Sequence, residues 1–143
     1  MELQSGNSVF ANTLYWIARA RPGDTWHRIA VEVREILGEI YIITTDEVLT
    51  EFLNALSALK YTRSQAVKMV RAIMKNPNIR VIPQTRESFL SGLDLFEQRA
   101  DKKYSLTDCI SMNVMRAESL TRVLTNDHHF EQEGFTVLMK RDG

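Results

Sequence analysis

The sequence predicts an α/β fold in which helices cross over a parallel sheet. Runs such as Ile40-Tyr41-Ile42-Ile43 are apolar at every position, as a strand buried on both faces requires. Stretches with apolar residues at i, i+3, i+4 spacing separate these runs, and strands joined through helices lie parallel. At 143 residues, with no repeat, low-complexity tract or linker, the chain 1–143 is expected to form a single domain.

The elements follow in order. Ser8-Val9-Phe10-Ala11 is a first strand reaching Asn12-Thr13, after which Leu14, Tyr15, Trp16 and Ile17 turn helical. Pro22-Gly23-Asp24 breaks the pattern, and Asp24 can cap a helix carrying Trp26, Ile29, Ala30, Val33, Ile36 and Leu37, ended by Gly38. Ile40–Ile43 is the second strand. Thr44 and Glu47 have capping-box spacing before a helix with Val48, Leu49, Phe52, Leu53, Leu56 and Leu59 on one face. A second such pair, Thr62 and Gln65, opens a helix with Val67, Val70, Ile73 and Met74 inward, stopped by Asn76-Pro77-Asn78. Ile79–Ile82 is the third strand and Ser88–Arg99 a helix. Ser105-Leu106-Thr107-Asp108 opens another helix through Ile110, Val114 and Met115. Arg122–Thr125 and Phe135–Met139 complete a sheet of about five strands.

Composition narrows the function classes. Eighteen Lys+Arg balance eighteen Asp+Glu, so bulk electrostatics cannot draw the chain to nucleic acid, and binding would need a local patch or a metal. Cys109 is the one cysteine, which excludes a disulfide scaffold. Met1 to Phe10 lacks the basic start and apolar stretch of a signal peptide, and no run suits a membrane span. The cytoplasm is the expected compartment.

Ligands of open parallel sheets bind beyond the carboxyl ends of the strands. The first strand ends there in Asn12-Thr13 and the fourth in Asn126-Asp127. Asp108 lies three residues after the cap Ser105. Glu51 sits one turn into the helix after the second strand, at the edge of its apolar face beside Ala55 and Ala58. A sheet that gathers these ends would bring Glu51, Asp108 and Asp127 into one pocket. Carboxylates so close repel unless protons or cations intervene, and hard oxygen donors suit Mg²⁺ or Mn²⁺.

The segments carrying these acids resemble a known family. Val9-Phe10-Ala11-Asn12-Thr13, Thr45 to Phe52, Tyr104-Ser105-Leu106-Thr107-Asp108-Cys109-Ile110-Ser111 and Val123-Leu124-Thr125-Asn126-Asp127-His128-His129-Phe130 resemble the successive motifs of PIN domains, as does Gly134-Phe135. VapC-type toxins of toxin–antitoxin pairs are the most similar subgroup. The resemblance covers nearly the whole chain and implies a PIN-like three-layer α/β/α sandwich. It also implies a metal-dependent ribonuclease with four acids holding Mg²⁺ or Mn²⁺, an RNA substrate, an antitoxin partner and self-pairing into a homodimer. Glu51, Asp108 and Asp127 match three of the acids, and Asp101 an additional one found in many VapC-like sequences. At the remaining position, where the family has aspartate, this chain has Asn12; an amide oxygen can ligate Mg²⁺ but brings no charge.

Each residue also has a plainer reading. Asp108 can serve its helix as a capping-box acid, Asp127 as a turn residue, Glu51 as a boundary glutamate and Asp101 as a solvated loop acid. Asn12 reads as a turn former, a residual ligand or an inactivating substitution, and Thr13 as a turn hydroxyl or the orienter of a metal-bound water. His128 and His129 invite a zinc reading, but with no companion ligand at the usual spacing they read better as solvated loop histidines. Cys109 reads as a buried small hydrophobe. Lys102 and Lys103, or the stripe Lys68, Arg71 and Lys75, could contact phosphates, and Tyr15, Trp16 and Tyr104 could stack on unpaired bases. A catalytically inactive PIN-like domain that binds RNA or protein is the alternative function. A dimerising surface around Tyr15, Trp16 and Trp26 is a third.

Overall fold

The computed structural model describes residues 7–141. Its elements are β1 (Ser8–Ala11), α1 (Thr13–Ala20), α2 (His27–Leu37), β2 (Tyr41–Thr45), α3 (Asp46–Ala55), α4 (Lys60–Lys75), β3 (Ile79–Ile82), α5 (Arg86–Gln98), α6 (Leu106–Ala117), β4 (Arg122–Leu124), α7 (His129–Gln132) and β5 (Thr136–Val137). The sheet has five strands in the order β3-β2-β1-β4-β5, and every pairing is parallel. Helices cover it as the outer layers of an α/β/α sandwich.

The middle of the sheet is the driest part of the chain. Val9, Phe10, Ala11, Val123 and Leu124 are fully buried, which is why these strands read as unbroken apolar runs. Phe10 pairs with Ile43 on one side and Val123 on the other. Trp16, expected in the core, is buried and its Nε1 donates to Thr44 Oγ1 at 3.3 Å. Thr44 Oγ1 in turn donates to the carbonyl of Ala11 at 2.9 Å, so helix α1 is tied to the end of the strand it leaves. Between α5 and α6, Gly92 is buried, and a Cβ there would clash with the Ile110 side chain.

Several boundaries differ from the sequence expectation. Thr45 rather than Thr44 caps α3, accepting from the Val48 amide at 3.1 Å, because Thr44 is buried as part of β2. That helix ends at Ala55, so Leu59 leaves the apolar face and is exposed. Thr62 does not cap α4, which starts at Lys60; its hydroxyl donates to the carbonyls of Leu56 and Leu59 instead. The inward face of α4 is Ala66, Met69, Val70 and Ile73, and Val67 and Met74 turn outward, leaving Lys68, Arg71 and Lys75 exposed with them. Asp24 closes a turn by accepting from the Trp26 amide, one residue ahead of α2, and Ile36 on that helix is exposed. The short α7 has no counterpart in the predicted elements. Among the described residues no helix is long and apolar enough to cross a membrane.

One ion-pair network fastens α5 and α6 to the segment after α7. Glu133, whose side chain is 7% exposed, accepts from Arg99 Nε at 2.9 Å and Arg116 Nη2 at 2.8 Å, and the Tyr104 hydroxyl donates to it at 2.9 Å. The Arg99 hydrogen bond, followed by those of Arg116 and Tyr104, outweighs burial and holds the Glu133 carboxyl at about 2, against an ordinary 4.5. A folded-state value below the unfolded one means stability that is complete above pH 4.5 and lost as the pH falls from there toward 2. Arg99 and Arg116 keep solvent contact, so Glu133→Gln is expected to cost on the order of 1–2 kcal/mol at pH 7. In urea melts of both proteins that difference shrinks toward zero as the pH is lowered through this window; a constant difference would refute the assignment.

Candidate functional site

The strand order has a switch point. From β1 the chain builds outward through β2 and β3, then returns to place β4 on the other side of β1. At such a point the connections leave the sheet in opposite directions and open a crevice at the strand C-termini. Asn12 follows β1 directly, and its amide donates to the Leu124 carbonyl at 3.1 Å, locking it beside the end of β4. Asp127 lies three residues past Leu124.

Asn12 occupies the N-cap of α1, where an asparagine ordinarily bonds the first helical amides. Here it makes no side-chain cap; the residue is 4% exposed and its Oδ1 is buried with no hydrogen-bond partner. A buried acceptor left unpaired costs about 1–3 kcal/mol, so its orientation calls for another occupant. Of its three sequence readings, turn former, ligand or inactivating change, this geometry fits an oxygen donor.

The acids converge on this crevice by separate routes. Thr45, capping α3, sets the helix that carries Glu51, and Thr13 Oγ1 donates to Glu51 Oε1 at 2.6 Å. That bond gives Thr13 a definite partner, a carboxylate rather than a turn carbonyl. Ser105 and Asp108 form the expected capping box at the start of α6: Asp108 Oδ2 accepts from the Ser105 amide at 3.1 Å, and Ser105 Oγ accepts from the Asp108 amide at 3.0 Å. Capping engages only one oxygen of the Asp108 carboxylate. After β4, Thr125 Oγ1 accepts from the Asp127 amide and Asp127 Oδ1 from the His129 amide, which fixes the last carboxylate.

The electrostatics of Asp108 link it to the other two acids. Burial raises the Asp108 carboxyl above its ordinary value, the Ser105 amide opposes the rise, and the negative charges of Asp127 and Glu51 add to it. The donor set is thus carboxylate and amide oxygen, the hard chemistry that suits Mg²⁺ or Mn²⁺, and the orphaned Asn12 oxygen fits such an ion.

Other expectations are corrected. Tyr104 is 4% exposed, with its ring against His129 and its hydroxyl on Glu133; burial first, then that hydrogen bond, pushes it up to about 12. Its face is closed to RNA. Tyr15 and Trp16 are likewise buried and offer neither a stacking platform nor a dimer surface, and Trp26 is half-covered, with the Arg141 guanidinium 4.3 Å from its ring centre. Asp101 is exposed, its carboxylate 4.0 Å from Lys102. Lys102 and Lys103 are exposed in the loop before α6, where they can meet phosphate. Cys109 is fully buried, which raises its thiol. His129 departs from the solvated reading: its Nδ1 is buried, 3.2 Å from Asp127 Oδ1. Only the Asx-turn spacing Asp127-x-His129 hinted at this. A cleft of about 750 Å³ between residues 20–25 and the start of α4 holds none of the acids.

Because Asp108 holds its proton more tightly when folded, its ionisation above that raised value weakens the fold. Asp108→Asn keeps the cap acceptor and removes the repulsion. With chelator at pH 8 the variant is expected to melt about 2–4 °C higher than the parent, and to lose the parent's stabilisation by millimolar Mn²⁺.

No protein-family model matches the sequence, and no curated protein matches it. The structure is similar to VapC20 of Mycobacterium tuberculosis, a sarcin-ricin loop cleaving toxin, with 24% identity and a TM-score of 0.81 over 90% of this chain and 96% of that one. It is also similar to FitAcB from Neisseria gonorrhoeae, at 14% identity and a TM-score of 0.65 over 91% of this chain and 96% of that one. The chain therefore has the PIN-like α/β/α fold that its motifs predict, shared with the toxin VapC20 across nearly its full length.

Proposed function

We propose that this chain is a Mg²⁺- or Mn²⁺-dependent endoribonuclease, the toxin of a toxin–antitoxin pair, acting in the cytoplasm. What supports the reading is that the negative charges of Asp127 and Glu51 act on the buried Asp108, and that the buried Asn12 oxygen at the β1–β4 switch point has no hydrogen-bond partner. A structural role explains each acid singly; it leaves the repulsion that Asp127 and Glu51 exert on Asp108 and the orphaned Asn12 acceptor unexplained.

Glu51, Asp108, Asp127 and Asn12 would hold the ion. When bound, it supplies activation of a water and neutralisation of phosphate charge. The chain's own residues do the positioning. Thr13 fixes the Glu51 carboxylate, the Ser105 cap fixes Asp108, and the His129 amide fixes Asp127. With donors locked before substrate arrives, little reorganisation remains when an RNA phosphodiester is attacked. The exposed Lys102 and Lys103 would draw the RNA backbone toward an otherwise acidic crevice. A neighbour of this fold is a toxin, which supports an antitoxin as partner.

The test is Mn²⁺-dependent cleavage of a mixed RNA panel. The chain is expected to cleave, chelator to abolish cleavage, and Asp108→Asn and Asp127→Asn each to lower kcat/KM by roughly 100-fold or more. Asn12→Asp is expected to tighten Mn²⁺ binding. Cleavage by Asn12→Asp alone would instead identify this chain as a silenced scaffold that binds RNA or a protein partner, and cleavage indifferent to both aspartates would refute the assignment.

A further inference from the structure

The turn after β4 sets two imidazoles, which the carboxylate centre does not use, beside the Asp127 carboxylate. One ligand atom each from Asp127, His128 and His129 lies within 4.8 Å of the others. His129 Nδ1 is buried and forms no hydrogen bond, although Asp127 Oδ1 is 3.2 Å away. Neighbouring ligands on a tetrahedral ion with arms of about 2.0–2.1 Å are roughly 3.3 Å apart, so this pair already stands at coordination spacing. The His129 ring is held between Tyr104, centroid 5.2 Å away, and His128, at 4.6 Å. The Asp127 carboxylate is held by the His129 amide at 2.9 Å. Only His128, which is exposed, has to swing in to complete the set.

We propose that Asp127, His128 and His129 form a site for a transition-metal ion of the Zn²⁺ or Co²⁺ class. Two imidazoles and a carboxylate are donors that such ions prefer and Mg²⁺ does not, and three protein ligands leave an open position for water. Asp127 belongs to both donor sets. An ion on the histidine side draws its carboxylate away from Asp108 and Glu51, so filling this site opposes Mn²⁺ binding at the carboxylates. The site does not depend on the chain being a ribonuclease, since it rests on donor atoms alone.

The experiment uses the full chain stripped with chelator, titrated with Zn²⁺ by calorimetry and with Co²⁺ by visible absorption. The parent is expected to bind one equivalent of Zn²⁺ and to give Co²⁺ bands of low coordination number. His128→Ala and His129→Gln are each expected to weaken Zn²⁺ at least tenfold, whereas Asp108→Asn leaves it unchanged. His128 is exposed, so its variant folds, and a melt confirms it. Zn²⁺ affinity within twofold of the parent in His128→Ala would overturn the proposal. So would an equal loss in Asp108→Asn, which would place the ion among the carboxylates.

Discussion

Strand β1 is hydrogen-bonded in parallel on both sides, to β2 and to β4, and the arrangement of the rest follows from that double pairing. Parallel neighbours all finish at the same edge, so whatever follows each strand arrives at one place. Asn12 arrives from β1, Asp127 from β4, and Glu51 from β2 through α3. Asp108 reaches the edge from α6, whose start is set by its own capping box. The Trp16–Thr44–Ala11 hydrogen bonds then stop α1 from drifting off the strand it continues.

Two acids of this chain show how surroundings assign work. Glu133 is nearly as enclosed as a core residue but faces two guanidiniums and a phenol, which hold its carboxyl far down. Burial, with the negative charges of Asp127 and Glu51 added to it, holds the Asp108 carboxyl up. The first arrangement is complete as it stands and joins helices. The second keeps like charges within reach of a buried carboxyl, an arrangement that clusters at functional sites. A chain with no net charge can thus carry a strongly negative point.

The strands and most helices were legible because burial on both faces writes continuous apolar runs, and the capping pair Ser105 and Asp108 is local in sequence. Helix edges near Thr44, Leu59 and Thr62 were not, since several hydroxyls compete for each cap and tertiary packing decides among them. Asp127 drew notice by its position after a strand, and Glu51 and Asp108 by their places in the early turns of helices. The roles of Tyr104 and His129 were not, because each is fixed by partners from distant elements: Glu133 for one, and the rings and carboxylate of the crevice for the other. Charge-balanced composition hid both the Glu133 network and the carboxylate cluster.

Pairing Phe10 with Val123 joins residues 113 positions apart (123 − 10), whereas α5 and α6, apposed at Gly92 and Ile110, are close neighbours along the chain. Contacts of such different span form in order: the helical pair can settle early, and docking of β4 onto β1 must wait for a costly loop closure. During synthesis the N-terminal three-fifths of the sheet, β1 to β3, can exist long before β4 emerges. The crevice then lacks one of its walls, and Asn12 and Glu51 have no carboxylates opposite them. The strand edge where Asn12 meets the end of β4 therefore closes only when β4 docks, a late step that the topology imposes.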